Sequence, residues 1–227
     1  MKAGQAATAL VVWLGACTAV ASVSVPEGAL RYVALGDSYT IGTSVSTAES
    51  WPSQLVARVP ELRLVVNLGV NGYTSGDLIE DELPALPGLQ PEFITLMIGV
   101  NDVVQGVPEA VYRSNIEEIL DAALALVGAD GLLCVATPDY TVTPQGGAFG
   151  SPDQQRAGIQ RVNALLGAAC AQRNVRFVPD IFEISRAATD PSLIAGDGLH
   201  PSRLQYARWV DAIQPVVEEL LLPSGDR

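Results

Sequence analysis

The chain alternates short, almost uninterrupted apolar runs with longer stretches in which apolar residues return every three or four positions. The apolar runs are Arg31 to Leu35, Leu62 to Asn67, Phe93 to Ile98, Leu132 to Thr137 and Val175 to Val178, each followed by Gly, Pro, Asn or Asp. Strands that are apolar on nearly every residue are covered on both faces, as in a parallel sheet between two helical layers. Helical periodicity occupies the intervals Trp51 to Val59, Thr74 to Leu83, Pro108 to Val127, Ser151 to Arg173 and Ser202 to Leu222. Pro108 and Pro152 stand where two of these helices open, a position at which a missing N–H breaks no internal hydrogen bond. The pattern predicts an α/β fold, a three-layer α/β/α sandwich. No internal repeat or Gly/Ser linker follows residue 30, so residues 31–222 read as one domain, with a short segment 22–30 before it and a tail 223–227 after it. The longest irregular stretch, Pro138 to Gly150, follows a strand, on the edge where α/β proteins bind ligands.

The first residues follow a different pattern. Lys2 is the only charged side chain before Glu27, and Ala6 to Val20 is apolar, the form of an export signal spanning residues 1–21. The apolar run is shorter than the roughly 20 residues a membrane span requires, so no span is expected in the mature protein. Ala19-Val20-Ala21 fits cleavage before Ser22, whereas Leu14-Gly15-Ala16-Cys17 resembles a lipoprotein box. The first reading predicts a secreted or periplasmic protein, the second a protein lipid-anchored at the cell surface through Cys17.

Composition narrows the chemistry. With 227 residues, 48% hydrophobic and 17% charged, the chain can bury a core. Its net charge of −12 repels phosphate backbones and argues against a nucleic-acid partner. The three cysteines, Cys17, Cys134 and Cys170, show no metal-ligand spacing and the chain has a single histidine, so neither a metal site nor a cofactor is expected. Cys134 and Cys170 lie in apolar runs, which favours two buried free thiols over a bridge.

In an enzyme without metal, imidazole is the usual base near neutral pH. His200 follows Gly196-Asp197-Gly198-Leu199, just before the last helix; a surface loop histidine is the plain alternative. Asp197, three residues earlier, is close enough to accept an imidazole N–H and leave the other nitrogen free. A nucleophile stands after the first strand in Gly36-Asp37-Ser38-Tyr39-Thr40, although Asp-Ser is also ordinary helix-capping chemistry. The next two strands end in Asn71-Gly72 and in Gly99-Val100-Asn101-Asp102, where a glycine N–H and an asparagine amide are suitable donors for a developing oxyanion, or simply turn residues. Asp37 and Asp102 read as structural carboxylates. Tyr39, Trp51 and Tyr140 either line an acyl or sugar pocket or pack in the core.

The ordered blocks Gly36-Asp37-Ser38, Gly72, Gly99-x-Asn101-Asp102 and Asp197-x-x-His200 resemble those of the SGNH/GDSL hydrolase family, over about Arg31 to Leu222. The resemblance implies a GDSL-type esterase or lipase that cleaves carboxylic esters through an acyl-enzyme. Ser38 would be the nucleophile, His200 the general base and Asp197 its orienting carboxylate, with Ser38 N–H, Gly72 N–H and the Asn101 side chain forming the oxyanion hole. It further implies a flavodoxin-like five-stranded parallel sheet of order 2-1-3-4-5. The stretch Glu49-Ser50-Trp51-Pro52 and Thr137-Pro138-Asp139-Tyr140 are similar to those of secreted bacterial members. Small-molecule, glycan or lipid esters are all compatible substrates, and the Gly/Thr/Pro-rich character of 138–150 favours short acyl chains. The contrasting reading is a non-catalytic carbohydrate- or lipid-binding module on the same fold.

Overall fold

The computed structural model describes residues 28–222; the expected signal 1–21, Cys17 and the tail 223–227 lie outside the described residues. Along the chain the regular elements are β1 (Leu30–Gly36), α1 (Ser38–Ile41), α2 (Trp51–Arg58), β2 (Leu62–Asn67), α3 (Ser75–Asp77), α4 (Leu86–Leu89), β3 (Phe93–Met97), α5 (Val100–Gln105), α6 (Glu109–Val127), β4 (Leu132–Val135), α7 (Pro152–Gln172), β5 (Arg176–Val178), α8 (Ile181–Ser185) and α9 (Arg203–Leu221). The strands form one parallel sheet of order β2-β1-β3-β4-β5, the α/β architecture and strand order expected.

Side chains alternate across a strand, so each apolar run feeds two cores. Tyr32 and Ala34 join Phe93, Met97, Leu133 and Val135 on one face, while Val33 and Leu35 join Ile94, Leu96, Leu132 and Cys134 on the other. The first face packs against Trp51 and Leu55 of α2 and Trp209, Ile213 and Val217 of α9. The second packs against Tyr112, Ile116 and Ile119 of α6 and Leu166 and Cys170 of α7. Full burial of a Leu or Ile side chain contributes about 1.5–3 kcal/mol, which is why the strands carry almost no polar residue on either face. Cys134 and Cys170 are buried and unbridged. The sheet order turns back between β1 and β3, and in such sheets the loops at the carboxyl ends of those two strands diverge to leave a crevice.

The interval expected as one helix from Thr74 to Leu83 is built differently. It comprises the short α3, a π-helical turn over Leu78–Glu82, a 3-10 turn over Leu83–Ala85 and the short α4. Pro84 and Pro87 supply no N–H, which prevents a regular helix from continuing. The wide turn brings Leu78 and Glu82 both inward, and Glu82 is 2% exposed. The four- to six-residue helices α1, α5 and α8 are too short for a 3.6-residue period to register in sequence. The irregular stretch 138–150 contains two 3-10 turns, Tyr140–Val142 and Gly146–Phe149.

Candidate active site

β1 ends at Gly36 with φ +151°, where any Cβ would collide with the Met97 carbonyl of β3 and the Thr40 hydroxyl. Only glycine allows this approach, and it delivers the chain directly into α1. Asp37 caps that helix by accepting the Tyr39 N–H at 2.9 Å, so Ser38 is the first helical residue rather than the cap. Burial pushes the Asp37 carboxyl up to about 7, with the nearby Asp102 adding to the effect. Glu82 reaches the same turn from the π-helical segment and accepts the Gly36 N–H at 3.0 Å; burial pushes its carboxyl up to about 9.

The second half of the site comes from the loop before α9. An antiparallel bridge between Ile194 and Pro201 closes this loop, with the Ala195 N–H donating to the His200 carbonyl at 2.8 Å. Asp197 Oδ1 accepts the backbone N–H groups of Leu199 and His200 at 2.9 and 3.0 Å. Its Oδ2 lies 2.6 Å from His200 Nδ1, and His200 Nε2 lies 2.9 Å from Ser38 Oγ. The carboxylate assigns the ring proton to Nδ1, leaving Nε2 to accept the serine O–H. Partial burial pushes the Asp197 carboxyl up, but its hydrogen bonds, that from Ser44 foremost, outweigh burial and hold it below the usual carboxylate range. The Tyr39 ring packs beside the imidazole with centroids 5.1 Å apart.

Asn101 is the second residue of α5, which follows β3, and one N–H of its side-chain amide donates to the Tyr73 carbonyl at 2.9 Å. The neighbouring Asp102 is buried and accepts the Ser75 N–H at 2.9 Å and the Ser75 hydroxyl at 2.5 Å, which ties the Gly72 turn to β3. A small cavity of about 40 Å³ opens beside these groups, lined by Ser38, Tyr39, Val100, Asn101, Val104, Tyr140, Phe149, Leu199 and His200. The structure therefore brings Ser38, Asn101, Asp197 and His200 together. Gly72 sits in an exposed turn with φ +83°, outside the residues lining the cavity, its carbonyl accepting from Gln105. Tyr39 and Tyr140 line the cavity, whereas Trp51 is fully buried in the core beneath α2.

Three contributors have no signal in the sequence motifs. Phe149 packs edge-on against Tyr140 with centroids 5.6 Å apart and lines the cavity. Glu82 stands in the run Glu80-Asp81-Glu82, indistinguishable there from its solvated neighbours. Ser44 donates to Asp197 Oδ2 at 2.6 Å across 153 positions of chain. Among the described residues no group of three or more His, Cys, Asp or Glu is placed to hold a metal ion, and no helix is long and apolar enough to cross a membrane.

Fold and site together define a carboxylic ester hydrolase built on a doubly wound parallel sheet. The chain belongs to the GDSL-like Lipase/Acylhydrolase family, whose model matches residues 34–208. It is similar to an arylesterase of Vibrio mimicus, 27% identical over 175 residues that cover 75% of this chain and 80% of the relative. It is also similar to thioesterase 1/protease 1/lysophospholipase L1 of Escherichia coli strain K12, 24% identical over 74% of each chain. The solved structure of TesA shares the fold with a TM-score of 0.68 at 23% identity, covering 84% of this chain and 99% of that one.

Proposed function

We propose that the chain is an exported serine esterase that cleaves short-chain carboxylic esters through an acyl-enzyme, with Ser38 as nucleophile, His200 as general base and Asp197 as its orienting carboxylate. The observation that carries this reading is the unbroken relay from Ser38 Oγ through His200 to Asp197 at 2.9 and 2.6 Å, opening onto an apolar cavity. Ser38 Oγ attacks the ester carbonyl as its proton passes to His200 Nε2, and the imidazolium returns that proton to the departing alcohol. Water then takes the place of the alcohol, and the same imidazole activates it to release the acid. The oxyanion is received by the second N–H of the Asn101 amide and by the Ser38 N–H; the family resemblance adds the Gly72 N–H, from an exposed turn outside the cavity lining that would have to close on the bound ester. Ser38 stands at the first position of α1, where an N–H has no intrahelical acceptor.

Cavity size favours short acyl groups. The cavity beside Ser38 and His200 is small, about 40 Å³, and lined by Tyr39, Val100, Val104 and Leu199, which supports an acetyl to butyryl chain. The test is a panel of p-nitrophenyl acetate, butyrate and octanoate with wild type beside Ser38→Ala. The expected result is turnover of the two shorter esters that falls by at least a thousandfold in the variant. A variant retaining a tenth of wild-type turnover refutes the mechanism. Export is supported by the apolar pattern of residues 1–21 and is tested by sequencing the mature N-terminus: Ser22 fits soluble export, whereas a fatty acid on Cys17 establishes the anchored form.

A further inference from the structure

Beyond the three residues of the relay, Ser44 occupies a place that its sequence neighbourhood does not announce. Ser44 is in the left-handed backbone region with φ +67°, which side chains other than glycine seldom adopt. The segment holding it there grows out of the nucleophile helix itself. The Gly42 and Thr43 N–H groups both donate to the Ser38 carbonyl at 3.1 Å, the Val45 N–H donates to the Gly42 carbonyl at 3.2 Å, and the Thr43 hydroxyl bonds the Asn71 side chain. This turn carries the Ser44 hydroxyl to Asp197 Oδ2, the oxygen that also faces His200 Nδ1.

An ionised carboxylate offers about four acceptor sites on its two oxygens. Asp197 has all four occupied: two backbone N–H groups on Oδ1, and the Ser44 hydroxyl and the imidazole N–H on Oδ2. We propose that Ser44 is a positioning residue for the general base, fixing the Asp197 carboxylate against His200 and drawing off part of its charge. Backbone strain at a functional site is expected where the strained residue makes a contact that no relaxed conformation reaches. Two effects follow from its removal. The carboxylate gains freedom to turn, which misaligns the imidazole, and it regains charge, which favours the imidazolium.

The titratable groups around the ring are Asp197 from its own loop and Tyr39 from α1, with Asp37 at the cap of α1, Tyr206 from α9 and Tyr140 from the stretch 138–150 around Tyr39. Burial holds the Tyr39 and Tyr206 hydroxyls far above their ordinary range and pushes that of Tyr140 up to about 12, so all three stay neutral. Asp37, raised to about 7 by burial, is untouched by a change at Ser44 and affects variant and wild type alike.

The proposal rests on the esterase reading above, and its test separates the two. Ser44→Gly removes the hydroxyl while keeping the left-handed backbone at no steric cost, and Ser44→Ala removes it with the strain retained. His200 is the sole histidine, so its ring titration is read directly by NMR without any turnover. In both variants the midpoint is expected to rise relative to wild type. With a short-chain ester, kcat is expected to fall about three- to tenfold, with KM unchanged because Ser44 does not line the acyl cavity. A purely structural Ser44 predicts that the glycine variant matches wild type in midpoint and rate. If neither midpoint rises, the proposal is overturned whatever happens to kcat. An active Ser38→Ala would instead refute the esterase mechanism and leave the His200 titration still reporting the Ser44 contact.

Discussion

Replacing Glu82 with Gln separates the cost of burying a titratable acid from the contact that the acid makes. The amide oxygen can still accept the Gly36 N–H, as the carboxyl does at 3.0 Å, and the side chain keeps its volume. What disappears is the titration. In the unfolded chain the Glu82 carboxyl loses its proton near the ordinary 4.5, whereas burial in the folded state delays that loss to about 9. Between those two values the native state holds a proton that the unfolded state has released, so stability is full below the lower value and declines as pH rises toward the higher one. The slope for one such group is about 1.36 kcal/mol per pH unit. By pH 7 the wild type has lost about 3 kcal/mol that the Gln variant keeps, and the gap is near zero at pH 4.5. Asp37 titrates in both proteins and largely cancels in the comparison. Urea unfolding followed by circular dichroism at pH 5, 7 and 8, with m-values held common, reads the difference directly. A constant offset from altered packing does not matter, because the test is the growth of the gap with pH. A gap that stays flat from pH 5 to pH 8 means that Glu82 is ionised in the folded protein and refutes the reasoning.

Asn101→Ala is expected to keep fold and KM while kcat drops by about 10²–10³, the usual loss for one oxyanion donor; a loss below fivefold moves that role elsewhere. Phe149→Ala removes a ring that lines the cavity, so kcat/KM for hexanoyl and octanoyl esters is expected to gain on acetyl by up to about fourfold per added methylene. An unchanged chain-length profile would show that Phe149 does not bound the acyl group. Dialysis against EDTA is expected to leave turnover unchanged, checked with the same ester assay before and after adding back divalent cations.

The parts of this site that can be read from sequence are those whose meaning is local. Asp197 and His200 belong to one turn, Gly36 and Ser38 to one strand end, and each motif carries its geometry within a few residues. The strands are readable because both faces are buried, so every residue of a run is apolar. Glu82 and Ser44 are opaque for the opposite reason. Glu80, Asp81 and Glu82 look alike until a π-helical turn carries the third inward to the Gly36 N–H at the end of β1, just ahead of two prolines that interrupt the helix. Ser44 acquires its partner only when the first and last thirds of the chain meet. Phe149 is one aromatic in a glycine-rich loop, and its place over Tyr140 follows from how two 3-10 turns pack.

The two halves of the relay are 162 positions apart, Ser38 from the short helix after the first strand and Asp197 with His200 from the loop that leads into the last helix. On the proposed mechanism the serine therefore has no base until the loop before the C-terminal helix is in place, and that loop is held where Trp209, Ile213 and Val217 of the helix pack against the sheet. The reverse holds under stress. Terminal elements open at lower free energy than central strands, so the enzyme falls silent on partial detachment of that helix while most of the sheet is still intact. Turnover in this molecule is accordingly a sensor of whether that helix is docked.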